Sequence, residues 1–132
     1  MVIILVHWLI KRGSEDAFRE RWRQMTIESG QGLYREVLTT PTIRDDAKFN
    51  TFSITDLAYS TFINIGFWKS LDDFDRLVGR YIPDPQQTRD PKDGRQKEAV
   101  LLESFEFKIR ERIVLEKIWD RDGGEPFPPA DL

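Results

Sequence analysis

Cysteine is absent from this 132-residue chain, and histidine occurs once, as His7. Without a thiol there is no disulfide, no thiolate metal site and no cysteine nucleophile. A single imidazole also excludes a multi-histidine metal site built by one chain. Long apolar runs are missing too. The opening MVIILVHWLIKRG falls well short of a membrane span, so no membrane partner is expected. It has no basic residues ahead of its apolar stretch and no small-residue cleavage signal. It therefore does not read as a secretory leader, and the expected location is cytoplasmic. Neither sign of charge dominates: 20 basic residues stand against 23 acidic ones, mixed along the chain. The FRERWR stretch is basic around an aromatic, but Glu15, Asp16 and Glu20 dilute it, so nucleic acid is not an expected partner. No GxGxxG or P-loop pattern occurs. The expectation is a protein with no cofactor, whether metal, haem or nucleotide.

What is present is bulk and pattern. Nine Phe, four Trp and three Tyr supply material for a core, a pocket or a subunit interface. The length suits one domain, read as residues 1–120 with a Pro/Gly-rich tail over 121–132. Residues 2–10 are apolar and β-branched on both faces, the mark of a strand covered on both sides. Val2, Ile4, Val6, Trp8 and Ile10 make one face; Ile3, Leu5, His7 and Leu9 make the other. After a Lys11-Arg12-Gly13 turn, Ser14 is placed to cap a helix, with Glu15 and Asp16 at its positive end. Phe18, Trp22 and Met25 recur at helical spacing, predicting a helix to about Ser29, with Gly30 and Gly32 behind it. Residues 33–39 read as a second strand, with Leu33, Arg35 and Val37 opposite Tyr34, Glu36 and Leu38.

Residues 41–60 read as a long connection that has room for a short strand or helical turn. TFINIGFWK, residues 61–69, is a third strand. Ser70 and Asp73 then form a capping-box pattern ahead of a helix with a stripe of Leu71, Phe74, Leu77, Val78 and Tyr81. Pro83, Pro85, Pro91 and Asp93-Gly94 mark residues 82–95 as a surface loop, part of a second long connection over 82–100. Residues 96–102 suit a short helix. Residues 103–119 alternate through Phe105, Phe107 and Ile109, then blur, which predicts a long strand with a bulge or two strands.

The order β-α-β, long connection, β-α-β is the α+β, ferredoxin-like split βαβ arrangement: an antiparallel sheet with two helices on one face. Two helices cover one face only. The other face still carries apolar side chains, so a homodimer is expected, closing a dimeric α+β barrel.

Four segments carry a resemblance: VIILVHWLIKRGSEDAFRERWRQ, GQGLYREVL, FINIGFWKSLDDFDRLV and FEFKIRERIVLEKIW. Together they resemble the dimeric α+β barrel superfamily, and most closely its antibiotic-biosynthesis-monooxygenase group. Some members of that group oxygenate aromatic, polyketide-like compounds without metal or flavin. In those enzymes an Asn and a Trp four residues later line the pocket from the third strand, and a Tyr follows in the next helix. Asn64 and Trp68 keep the Asn-x-x-x-Trp spacing on one strand face, with Gly66 between them; Phe74 stands in the place of the Tyr and so removes the phenol. Haem-degrading relatives carry a ligating histidine in the second helix, and residues 71–81 have none.

The resemblance and the residues together nominate Asn64, Trp68, Trp8 and Phe74 as substrate-binding residues and His7 as the catalytic base. Each also has a plainer reading. Asn64 is a buried amide that must find a partner, either a substrate carbonyl or a backbone group. Trp68 can simply fill the strand end, and Gly66 can serve close helix packing as well as a pocket. A lone histidine in a buried strand is a core residue first. Its case as a base is an unperturbed pKa near neutrality, suited to a phenolic or enolic proton. Asp72, Asp73 and Asp75 read as helix-start partners, Asp120 to Glu125 as a turn, and Arg35, Arg110 and Arg112 as strand-edge salt-bridge residues. The favoured function is a cofactor-independent monooxygenase acting on a small hydrophobic or aromatic ligand. The rivals are a non-catalytic ligand-binding or interaction dimer and an isomerase or lyase using His7 as base; fold analogy does not separate them.

Overall fold

The computed structural model describes residues 1–41, 57–78, 100–102 and 105–127. The strand that is apolar on both sides, β1 (Val2–Lys11), lies at the centre of an open five-stranded sheet. The other elements are α1 (Glu15–Gln24), β2 (Leu33–Thr39), β3 (Tyr59–Trp68), α2 (Leu71–Val78), β4 (Val100–Leu102) and β5 (Phe105–Glu116). The sheet order is β2-β3-β1-β5-β4, and every neighbouring pair is antiparallel. This α+β arrangement is compatible with a ferredoxin-like fold, with the short β4 added at one edge. Among the described residues no helix is long and apolar enough to cross a membrane.

One sheet face holds the core. Ile4, Val6, Trp8 and Ile10 of β1 meet Phe62 and Trp68 of β3 and Phe105, Phe107 and Ile109 of β5. Phe18 from α1 and Phe74, Leu77 and Val78 from α2 close over that same face. Phe18 is the hub: its ring lies 5.0 Å from Phe62, 5.4 Å from Trp8 and 5.6 Å edge-on from Phe105. Such tilted and edge-on contacts add to the area that the rings bury.

Among the described residues the opposite face has no helix. Its upper end carries a polar lattice: the Tyr59 hydroxyl donates to Glu106 Oε1 at 2.7 Å, Lys11 reaches Glu106 Oε2 at 3.3 Å, and Lys108 Nζ sits 4.3 Å over the Tyr59 ring. The lower part is apolar and only partly covered, with Ile3, Leu5, Ile63, Ile65 and Phe67 half-buried and Ile113 and Leu115 exposed.

Several boundaries differ from the expectation. The helix expected to reach Ser29 stops at Gln24, where Met25 turns extended and the β-branched Thr26 and Ile27 follow. Ser14 makes no side-chain cap; the Glu15 carboxylate instead accepts from the Gly13 N–H of the preceding turn at 3.0 Å. At α2 Ser70 caps the helix as expected, its Oγ accepting from the Asp73 N–H at 3.2 Å, while Asp73 Oδ2 accepts from the Ser70 hydroxyl at 2.8 Å. Leu71, placed on the buried stripe by its spacing, is exposed. Residues 100–102, expected to be helical, pair with β5 as a strand. The third strand starts at Tyr59 rather than residue 61, since it follows β1 to Lys11. The blurred alternation of the last strand is one strand with a register shift opposite His7 and Trp8, and Ile118 and Trp119 lie beyond its end. Residues 42–56, 79–99 and 103–104, which include Tyr81 and most of both long connections, lie outside the described residues.

Candidate functional site

Strand alternation and register sort the nominated residues onto the two faces. Asn64 pairs with Val6, and Trp68 with Val2, so both stand on the helix-covered face with Trp8 and Phe74. His7 pairs with Ile63 and Glu111 on the other face. The fold therefore brings Asn64, Trp68, Phe74 and Trp8 to one side of the sheet and keeps His7 from them within a chain.

Asn64 is 3% exposed, and its Nδ2 donates to Glu36 Oε1 at 2.5 Å. A carboxylate accepts only, so the amide nitrogen must face Glu36 and the carbonyl Oδ1 must face away. That Oδ1 is buried with no hydrogen-bond partner. Burial pushes the Glu36 carboxyl above its ordinary pKa, and the Asn64 amide only partly opposes the rise.

The space beside Gly66 is filled. A Cβ built there would meet Trp68 Nε1 at 2.4 Å, so the indole lies directly over the glycine backbone. Phe74 then meets Trp68 edge-on, with ring centroids 5.5 Å apart. Trp8 packs at 5.3 Å from Phe107, and the cavity beside it, bounded by Trp8, Phe18, Trp22 and Val78, is about 20 Å³, room for one water. On the far face, His7 Nδ1 lies 3.1 Å from Glu111 Oε1, the imidazole itself being buried.

A larger hollow of about 290 Å³ opens between α1 and the β2–β3 edge. Trp22, Leu38 and Phe62 give it apolar walls, Thr39 and Thr40 a polar lip, and Arg19 and Arg23 a cationic rim. Arg19 lies over the Phe62 ring at 5.3 Å while pairing with Asp16 at 3.0 Å. Leu38 is the cross-strand partner of Asn64, so the Asn64–Glu36 pair adjoins this wall on the same sheet face, outside the groove's own lining.

Glu36 and the groove were not nominated from the sequence. Glu36 reads there as the polar member of an alternating strand, and Arg19 and Arg23 as the solvated side of a helix. The face assignment of β2 is also corrected. A register shift between Leu33 and Arg35 puts Leu33 on the same face as Glu36 and Leu38 rather than opposite them. The available signal was the spacing of Leu33 and Leu38, two apolar residues an odd number apart, which share a strand face only across a bulge. Among the described residues no group of three or more His, Cys, Asp or Glu side chains is placed to hold a metal ion. No family model matches the chain, and no curated protein is found similar to it.

Proposed function

We propose that the chain is a dimeric α+β barrel protein of the antibiotic-biosynthesis-monooxygenase type that takes a small aromatic or polyketide-like compound into the groove between α1 and β2–β3. The observation that carries this reading is the hollow of about 290 Å³ with aromatic and aliphatic walls, one of which, Leu38, is the cross-strand partner of the buried Asn64 that holds Glu36. Ligand sites of this kind join apolar walls to a few convergent polar groups, and the volume is near the lower end of their range. The reaction class proposed is cofactor-independent oxygenation of the ring by dioxygen. A non-catalytic ligand-binding dimer is the second reading. The Trp68 indole lying over Gly66 favours it, because Asn64 alone of the Asn-x-x-x-Trp pair is then left to meet a ligand.

The dimer belongs to the same proposal. Ile3, Leu5, Ile63, Ile65 and Phe67 form a continuous apolar surface on the helix-free face, the kind of patch that marks an association site. A second copy related by a two-fold axis matches it with the same surface. Ile118 and Trp119 are 92% and 81% exposed just past β5.

The test is a fluorescence titration with a panel of quinones and polyphenols, read with oxygen consumption. An aromatic compound in the groove is expected to quench Trp22, and Trp22→Phe to remove that quench. Asn64→Ala is expected to weaken binding by about 1–2 kcal/mol, the scale of one lost hydrogen bond in a dry site. If no compound in the panel binds, the small-molecule reading fails; binding without oxygen uptake selects the non-catalytic form.

A further inference from the structure

We propose that Glu36 is the proton acceptor of the groove, taking the hydroxyl proton of a phenolic or enolic ligand bound against Leu38 and Phe62. The inference rests on the small-molecule reading above and adds the residue that exchanges a proton with the ligand. His7, the imidazole that the sequence offers for this task, is on the other face of the sheet.

The geometry supplies three elements of a base. The first is position. Glu36 and Leu38 share a face of β2, and Leu38 lines the groove, so Glu36 is the next residue on that face beyond the groove wall. The second is orientation. Oε1 receives the Asn64 amide, and Oε2 takes no hydrogen bond among the described residues, which leaves one oxygen held and one open. Asn64 is thus a positioning residue. The third is environment. The carboxyl is half-buried, with apolar Leu33 and Leu38 on its own face of β2 and Asn64 and the Gly66 backbone across from it on β3. No charged group on the described elements contributes to its titration: burial raises it and the Asn64 amide lowers it. A carboxylate lifted toward neutrality is better matched to a phenolic or enolic proton than an ordinary one. In the step the ligand O–H bond breaks, the proton bonds to Glu36 Oε2, and the electron pair stays on the ligand oxygen. Protonated Glu36 and the ligand anion then carry one negative charge between them.

This chemistry has a signature that needs no turnover. The hydroxynaphthoquinone lawsone is an enol that is already anionic at neutral pH. Two like charges in one partly dry site do not both persist, so its anion and Glu36 must share a proton. Isothermal titration calorimetry in two buffers of different ionisation enthalpy counts that proton. Wild type is expected to take up about one proton per lawsone bound, and its Kd to weaken by about tenfold per pH unit on the alkaline side, as one linked proton requires. Glu36→Gln keeps an oxygen for the Asn64 amide and is expected to bind with no proton uptake and a flat pH dependence. Glu36→Asp retains a carboxylate and is expected to restore the uptake at weaker affinity. Circular dichroism on each variant checks that the fold persists. If wild type and Glu36→Gln bind lawsone with the same proton count, the groove binds ligand but Glu36 is not its acceptor, and this proposal is overturned while the small-molecule reading stands. If Glu36→Asp folds and binds without proton uptake, the proposal is likewise overturned. If wild type binds neither lawsone nor any member of the quinone and polyphenol panel, both readings fall together.

Discussion

Glu36 is a carboxyl that the folded state disfavours in its charged form. Its pKa is raised by burial, against the partial opposition of the Asn64 amide. The sign follows from linkage. A carboxyl whose folded pKa lies above its unfolded value binds more protons when folded, so stability is greatest below the unfolded pKa of 4.5. It then declines as pH rises through the raised folded value and levels off above it. Glu36→Gln is therefore expected to be more stable than wild type at neutral pH, and the gain is expected to disappear in acid. Urea unfolding of both proteins across that range measures it; equal stability at every pH would show that burial of the charge costs nothing here. A residue that lowers stability in its charged form, two positions along β2 from a groove-lining Leu38, fits a functional site, because such sites hold groups whose pKa values the surroundings displace. His7 illustrates the other outcome. Its side-chain type attracts a catalytic reading, yet the neighbour it meets is Glu111 on the helix-free face.

At the scale of elements, what surrounds the site is packing that admits little change. Gly66 stands opposite Glu36 on β2 and opposite Ile4 on β1, and the Trp68 indole covers it. Gly66→Ala would thrust a methyl group into that ring, at a position where Phe74 holds the indole from the other side. Relief requires the indole to swing or β3 to shift, and overpacking of this kind costs about 1–3 kcal/mol. Thermal unfolding is expected to register the loss, with a change in near-ultraviolet circular dichroism as the indole moves; unchanged values in both would place the ring elsewhere. The two register shifts matter as much as the contacts. The one in β5 turns Ile113 and Leu115 to the helix-free face, and the one in β2 brings Leu33 to the face of Glu36 and Leu38. The first was legible in the broken alternation after Ile109. The second had only the odd spacing of Leu33 and Leu38 to mark it, because Leu33-Tyr34-Arg35-Glu36 alternates acceptably without a bulge.

For the whole molecule the open question is the second sheet face. Ile65 lies near the middle of its apolar part, paired with Leu5 on one side and Val37 on the other. Sedimentation of the wild type at micromolar concentration is expected to give about twice the monomer mass of 15.6 kDa. Ile65→Glu puts a charge where a second copy would sit, while a lone chain leaves that side chain half in solvent. The variant is expected to sediment as a folded monomer with unchanged far-ultraviolet circular dichroism. A wild type that remains monomeric and binds no apolar dye would remove the dimer from the reading.

By itself the sequence determined the kind and order of the elements other than β4, whose residues it read as part of a short helix. Hydrophobic period is a local property, carried by neighbouring residues: the two-sided apolar run at Val2 to Ile10 can only be a central strand, and Phe18 with Trp22 can only be one side of a helix. Tertiary structure alone decided which residues meet. Asn64 and Glu36 are 28 positions apart, and His7 and Glu111 are 104 apart. Their pairing depends on strand register, and register is set by the joint packing of the whole sheet rather than by any one segment. For the same reason Asn64 and Trp68 were legible as sharing a face, since alternation within one strand places them there. That the indole fills the space over Gly66, and that the groove lies instead against Trp22, Leu38 and Phe62, follows from how α1 and α2 settle on the sheet.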